Sequence, residues 1–244
     1  MHTYSVQDMP QKEMAWPRQP SDRQWVKPEG DDPRTLYQML MVSQERFGEE
    51  PCIGYIPSPG EPRKHLSYNQ FGDLATQVAK GLRNIGVEKG DRVAIIIDNS
   101  VQWAALSYGA NALGAAYTAM YTHQHGKDWA YILADATPKV VAVANTEVLD
   151  KLCGALPDDG WPASGVILLG DEPANQLPPE GVEVRSWMEF TQEGRASADL
   201  EEIADDPSAL STLIYTSGTT GNPKGVMLSN WNTLSNVLCV QGVF

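Results

Sequence analysis

The sequence is short of basic residues and of cysteine. Eighteen Lys and Arg stand against 31 Asp and Glu, a net charge of -13, which excludes a broad footprint for DNA or RNA, because phosphate backbones are bound chiefly through clustered Lys and Arg. Any anionic ligand must be held locally. The three cysteines, Cys52, Cys153 and Cys239, are odd in number and lack CxxC spacing; this excludes a disulfide framework and fits a reducing compartment. They read as buried or half-buried thiols. A secretory h-region is missing too, since Met1 to Pro20 carries Asp8, Glu13 and prolines where an apolar run is needed, so the expected location is cytoplasmic. The stretch Asn99 to Gly126 has no Asp, Glu, Lys or Arg, but its only leucines are Leu106 and Leu113, and Gly114 divides it. A membrane span needs about 20 strongly apolar residues, so no transmembrane segment is assigned; peripheral membrane association stays open.

What is present suffices for a packed core. The chain has 244 residues, 42% apolar content and seven tryptophans, enough for one or two domains. Residues 1–34, rich in Pro, Asp, Gln and Arg, read as an irregular leader, strapped down through Trp16 and Trp25. From Thr35 the pattern changes: Leu36, Met39, Leu40 and Phe47 suggest a short amphipathic helix ending at Gly48. The clearest helix opens at Ser67, which forms a capping box with Gln70; Phe71, Leu74, Ala75, Val78, Ala79, Leu82 and Ile85 follow at helical spacing, and Gly86 supplies the stop.

After a turn at Glu88 to Asp91, strands and helices alternate. Val93 to Ile97 reads as a buried parallel strand, Ser100 to Leu113 as a helix and Ala115 to Tyr121 as a strand. A helix near Asp128 to Ala136, a strand Val140 to Ala144, a helix near Glu147 to Leu156 and a strand Val166 to Leu169 follow. This predicts an α/β fold with a mainly parallel sheet flanked by helices. Residues 171–209 form a polar connector with one short strand at Val182 to Val184 and an ambiguous stretch around Trp187 to Phe190. Within it Glu201 and Glu202 read as a solvated helix face and Asp205-Asp206-Pro207 as a turn. Leu210 to Tyr215 is another apolar strand.

That strand runs into Thr216-Ser-Gly-Thr-Thr-Gly-Asn-Pro-Lys-Gly225. Gly218, Gly221 and Gly225 free the backbone to approach a ligand so that amides converge on phosphate oxygens. Thr216, Ser217, Thr219 and Thr220 add hydroxyl donors, and Lys224 adds charge. From Ser208 to Phe244 there is no Asp or Glu, and Lys224 is the only charged side chain, which favours an anion site. The position agrees, because ligands of open α/β sheets bind beyond the carboxyl ends of strands. Lys224 sits between Pro223 and Gly225, so this is not a Walker A loop; Pro223 suggests a stiffened turn leading to a second strand at Val226 to Leu228. Composition alone leaves open a Ser/Thr/Gly-rich hairpin that binds nothing.

The order of residues goes further. Thr216 to Gly225 resembles, position for position, the signature motif of the AMP-forming acyl-CoA synthetase, luciferase and peptide-synthetase adenylation superfamily. Leu66-Ser-Tyr, Gly86 to Ile97, Asn111 to Tyr121 and Tyr131 to Val140 also look like that family's N-terminal half; together the similarity covers most of residues 35–230, nearest to long-chain fatty acyl-CoA synthetases.

The resemblance implies a ligase that activates a carboxylic acid, fatty acid by preference, through an acyl-adenylate and passes it to coenzyme A, using ATP and Mg²⁺. It implies that Thr216, Ser217, Gly218, Thr219, Thr220, Gly221 and Lys224 hold the β- and γ-phosphates, with Lys224 and Thr220 stabilising the leaving pyrophosphate. It also implies that residues 35–244 are a partial N-terminal domain of the adenylate-forming ligase fold. The adenine-gripping segment, metal-binding glutamate, hinge and small C-terminal domain with its lysine would lie beyond Phe244, so these residues alone are expected neither to adenylate nor to thioesterify. The alternative is a non-catalytic nucleotide-binding or scaffold module that kept the loop. Two positions depart from the family pattern, Asn230 where His is common and Ala119 where Pro is common.

Other candidates are weaker. His123 and His125 would share one side of a strand, but no Cys or carboxylate cluster completes a metal site, so none is assigned. Tyr108, Tyr117 and Tyr121 read as buried aromatics packing the sheet.

Overall fold

The computed structural model describes residues 33–57, 60–157, 160–170, 172–216 and 223–241; the leader, including Trp16 and Trp25, lies almost wholly outside them. Helix α1 (Leu36–Phe47) starts where the Thr35 side chain accepts from the Gln38 amide and stops at Gly48, whose φ of 45° lies in the left-handed region. A hairpin, β1 (Pro51–Tyr55) with β2 (Lys64–Ser67), follows. It carries little alternation of apolar and polar residues, which is why its sequence is silent. Helix α2 (Tyr68–Asn84) has the expected capping box, Ser67 Oγ accepting from the Gln70 amide and the Gln70 side chain accepting from the Ser67 amide. Its Phe71, Ala75, Val78, Ala79 and Leu82 are all buried.

The main sheet is built from β3 (Arg92–Ile96), β4 (Ala116–Met120), β5 (Val140–Val143), β6 (Gly165–Leu168), β7 (Glu183–Ser186), β8 (Leu210–Thr216) and β9 (Lys224–Ser229), in the order β7-β6-β5-β3-β4-β8-β9. Every neighbouring pair is parallel except β8 with β9. Helices α3 (Val101–Ala112), α4 (Gly126–Ala136), α5 (Thr146–Cys153), α6 (Trp187–Ala196) and α7 (Asn230–Gln241) complete the order.

Alternation along the central strands divides the core. Val93 and Ile95 of β3 and Val140 and Ala142 of β5 face α1, α2, α3 and α6. Ala94, Ile96, Val141 and Val143 face α4 and α5. Both faces of these strands are covered, hence their continuous apolar runs.

The 171–209 stretch is more structured than a connector. Beyond β7, the ambiguous residues form α6, opened by a capping box between Ser186 and Glu189. Its Phe190 is fully buried against α2. From the end of α6 the chain is tied to the last turns of α2: Lys80 meets Asp199, Arg83 donates to the carbonyls of Ala198 and Asp199, and Asn84 donates to Ser197 Oγ. Glu201 and Glu202 are exposed but not helical, a correction to the helix-face expectation. These ties hold the segment extended around the end of α2. The turn at Asp206 is as expected, with Oδ1 accepting from the amide and hydroxyl of Ser208.

Candidate functional site

The parallel strands β3, β4 and β8 end at one edge of the sheet. After β3 the chain turns to α3 on one face; after β4 it turns to α4 on the other. Adjacent strands whose continuations part in this way leave a crevice at their carboxyl ends, the usual ligand position in open α/β sheets. Asp98 Oδ1, beyond β3, accepts from Thr122 Oγ1, beyond β4, at 2.8 Å and ties the two exits together. Strand β8 lies next to β4, so the chain leaving Thr216 emerges beside that crevice.

The base of β8 is locked by a buried carboxamide. Asn111, 1% exposed at the end of α3, accepts from Ser211 Oγ at 2.7 Å and donates to the Ser211 carbonyl at 3.2 Å and the Ala115 carbonyl at 3.4 Å. Ser211 is itself fully buried. The register in which β8 enters the sheet is therefore set by hydrogen bonds whose loss would leave buried polar atoms unpaired.

At its far end β8 pairs antiparallel with β9, Thr216 opposite Lys224, Tyr215 opposite Gly225 and Ile214 opposite Val226. The two ends of the predicted loop are thus brought together as cross-strand partners, and both side chains are exposed. Among the described residues no carboxylate pairs with Lys224. Ser217, Gly218, Thr219, Thr220 and Gly221 lie outside the described residues. The strands expected on either side of the turn are present as β8 and β9. Beside the loop, the Tyr215 hydroxyl donates to Asp135 Oδ2 of α4 at 2.6 Å. Burial, reinforced by the Asp135 carboxylate, pushes the Tyr215 hydroxyl pKa up, so it remains a proton donor at neutral pH.

The remaining candidates resolve into packing or surface. His123 and His125 fall in the exposed turn between β4 and α4 rather than on a strand. Among the described residues no group of three His, Cys, Asp or Glu can hold a metal. Gly126 opens α4. Tyr108 packs edge-on against Phe71 and Tyr117 against Trp103, as expected of sheet-packing aromatics. Tyr121 differs: it is 76% exposed, because β4 ends at Met120 and leaves it on the crevice side of the sheet edge. Cys52 and Cys153 are half-buried and are not joined in a disulfide. Asn230 is buried at the start of α7; its backbone amide donates to the Ala209 carbonyl at 3.0 Å and its side chain to the Asp206 carbonyl at 3.3 Å. It fastens α7 to the turn before β8. Ala119 is exposed within β4.

For three residues of the site, Asn111, Asp98 and Asp135, the sequence gives no sign of the partner. Their partners lie 100, 24 and 80 positions away, beyond any local motif.

The family described as "AMP-binding enzyme" matches residues 41–243. The long-chain-fatty-acid CoA ligase ACSBG1 of Bos taurus is 32% identical over 204 residues, which are 82% of this chain and 27% of the relative. The chain therefore spans little more than a quarter of that protein's length. Among solved structures, a Mycobacterium tuberculosis fatty acyl CoA synthetase superposes with a TM-score of 0.60 at 26% identity, covering 82% of this chain and 36% of that one. ATP-bound MatB from Rhodopseudomonas palustris superposes with a TM-score of 0.63 at 26% identity, covering 86% and 37%. Among the described residues no helix is long and apolar enough to cross a membrane. A mainly parallel sheet, a hairpin at its carboxyl edge and a family match over most of the length converge: this chain belongs to the AMP-binding enzyme family.

Proposed function

We propose that the segment Thr216 to Gly225 grips the β- and γ-phosphates of ATP, while a carboxylic acid attacks the α-phosphorus to give an acyl-adenylate and pyrophosphate, before transfer of the acyl group to coenzyme A. The observation that carries this reading is the hairpin itself. Thr216 and Lys224 are exposed cross-strand partners beside the switch-point crevice, in a segment from Ser208 to Phe244 without a carboxylate side chain.

The chemical difficulty of the first step is the meeting of two anions and the charge that gathers on the leaving group. Lys224 supplies a full positive charge, Thr216, Ser217, Thr219 and Thr220 supply hydroxyl donors, and Gly218 and Gly221 allow backbone amides to converge. Donors placed where charge develops lower the barrier without reorganising. In this reading Lys224 and Thr220 act on the departing pyrophosphate, and the others position the triphosphate. Mg²⁺, when bound, would share the neutralisation of the charge on the phosphates. The chain's own contribution to the step is therefore the loop.

Fatty acid is the proposed substrate class, supported by the activity printed for the bovine relative, and the cytoplasm the proposed setting. The domain assignment is proposed likewise: residues 35–244 form part of the nucleotide-binding domain and on their own bind ATP without releasing pyrophosphate.

Equilibrium titration of the 244-residue chain with MgATP and with pyrophosphate tests the loop. Lys224→Ala is expected to weaken both by about 10- to 100-fold, the worth of a charge-assisted contact. Equal affinities for wild type and variant refute the assignment. Pyrophosphate release from ATP and fatty acid above the Lys224→Ala level would overturn the expectation of inactivity.

A further inference from the structure

The hairpin that carries the loop outruns the sheet. Among the described residues strand β8 pairs with β4 only through Tyr117 with Thr212 and Thr118 with Leu213, and Ile214, Tyr215 and Thr216 continue with β9 as their sole strand partner. A two-stranded ribbon is marginal by itself, and small changes in its direction would move both ends of the loop. Something must restrain it laterally.

Tyr215 does so from both ends of its side chain. Its hydroxyl donates to Asp135 Oδ2 at 2.6 Å, a bond 80 positions long that reaches the last turn of α4. The tip of its ring lies over the backbone of Gly225, its partner across the ribbon: a Cβ at 225 would stand 3.0 Å from the ring Cζ, 3.2 Å from Cε1 and 3.3 Å from the hydroxyl. Only glycine leaves room there without displacing the ring. One aromatic side chain thus connects β8, β9 at the residue following Lys224, and the helix that leaves the crevice.

We propose that Tyr215 and Asp135 are positioning residues for the phosphate loop, with Gly225 as the seat of the ring, fixing the angle at which Thr216 and Lys224 are presented to a triphosphate. Neither touches the nucleotide. The inference rests on the phosphate-loop reading above. Burial keeps the hydroxyl protonated, so the donor persists through the neutral range.

The test uses the whole 244-residue chain, titrated with MgATP and with pyrophosphate, together with thermal midpoints. Tyr215→Phe keeps the ring over Gly225 and deletes the bond; Asp135→Ala deletes the acceptor; Asp135→Asn keeps an acceptor oxygen. Tyr215→Phe and Asp135→Ala are expected to weaken both ligands about fivefold, the worth of one hydrogen bond, with Asp135→Asn restoring most of the affinity. The thermal midpoint is expected to move by no more than about 3 °C. Binding by Tyr215→Phe and Asp135→Ala at wild-type strength overturns the proposal. So does an affinity loss no greater than that of a remote variant of matched stability, because the effect would then be structural only. If the wild type fails to bind, or binds independently of Lys224, the phosphate-loop reading falls and the positioning role with it; Lys224-dependent binding indifferent to Tyr215 and Asp135 removes the positioning role alone.

Discussion

Replacing Gly194 by alanine tests the packing of α6 on α2, and the sign of the effect discriminates. In a helix interior alanine is favoured over glycine by about 1 kcal/mol, so an α6 loose on the surface would be stabilised. In the structure, the Cβ added at 194 falls on the backbone carbonyl of Gln77 and 3.0 Å from the Gly81 nitrogen. Both are α2 backbone atoms, with no flexible side-chain end to swing aside. Gly81 is close in turn, a Cβ there lying 2.7 Å from Phe190 Cε2 and 3.1 Å from the Phe190 carbonyl. The helices must therefore separate, lifting the fully buried Phe190 from its place. Overpacking costs about 1–3 kcal/mol and occasionally more, and backbone on both sides puts this site at the upper end. After subtracting the propensity gain, the net expectation is a loss of about 1–3 kcal/mol.

Urea unfolding followed by far-UV circular dichroism measures it, with Gly154→Ala as the control. Gly154 has φ -69° and ψ -15° at the end of α5, and a Cβ there meets nothing nearer than 3.5 Å; alanine should be neutral or stabilise by up to about 1 kcal/mol. A Gly194→Ala chain as stable as wild type, or more so, would show that α6 does not sit on α2 as described.

Two further outcomes follow from buried and surface polar groups. Asn111→Leu leaves the Ser211 hydroxyl and carbonyl without their partner in a buried site and is expected to cost about 2–4 kcal/mol in the same urea experiment; a loss below about 1 kcal/mol would refute the clamp. At the surface, the hydrogen bond and charge of Lys80 hold the Asp199 carboxyl below its usual pKa. A depressed folded pKa contributes stability above the unfolded value, near 3.9, and loses it as pH falls through the folded one. The difference in thermal midpoint between wild type and Asp199→Asn should therefore be present at pH 7, shrink below about pH 4 and diminish with salt; a difference unchanged at low pH contradicts the pairing.

Local rules made much of the fold legible. Ser67 and Gln70, three residues apart, specify the start of α2 because capping is satisfied within one turn. The apolar runs of β3 and β5 announced strands covered on both faces. The same logic was available at Ser186 and Glu189, but the surrounding polarity of 171–209 masked a helix that buries essentially one large residue, Phe190. The β1–β2 hairpin is stabilised by pairing and carries no periodic apolar face, so nothing in its residues marks it. Tyr121 looked like its neighbours on β4, and only the end of that strand one residue earlier exposes it.

The sequence by itself determined the alternation of strands and helices, the order of glycines, hydroxyls and lysine after β8, and the family those residues belong to, because each depends on neighbours within a few positions. The tertiary structure decided that Thr216 and Lys224 stand opposite each other at the carboxyl edge, that Asn111 locks Ser211, and that Asp135 reaches Tyr215. The last two contacts join residues 100 and 80 positions apart, and only the order of strands in the sheet brings them within hydrogen-bonding distance.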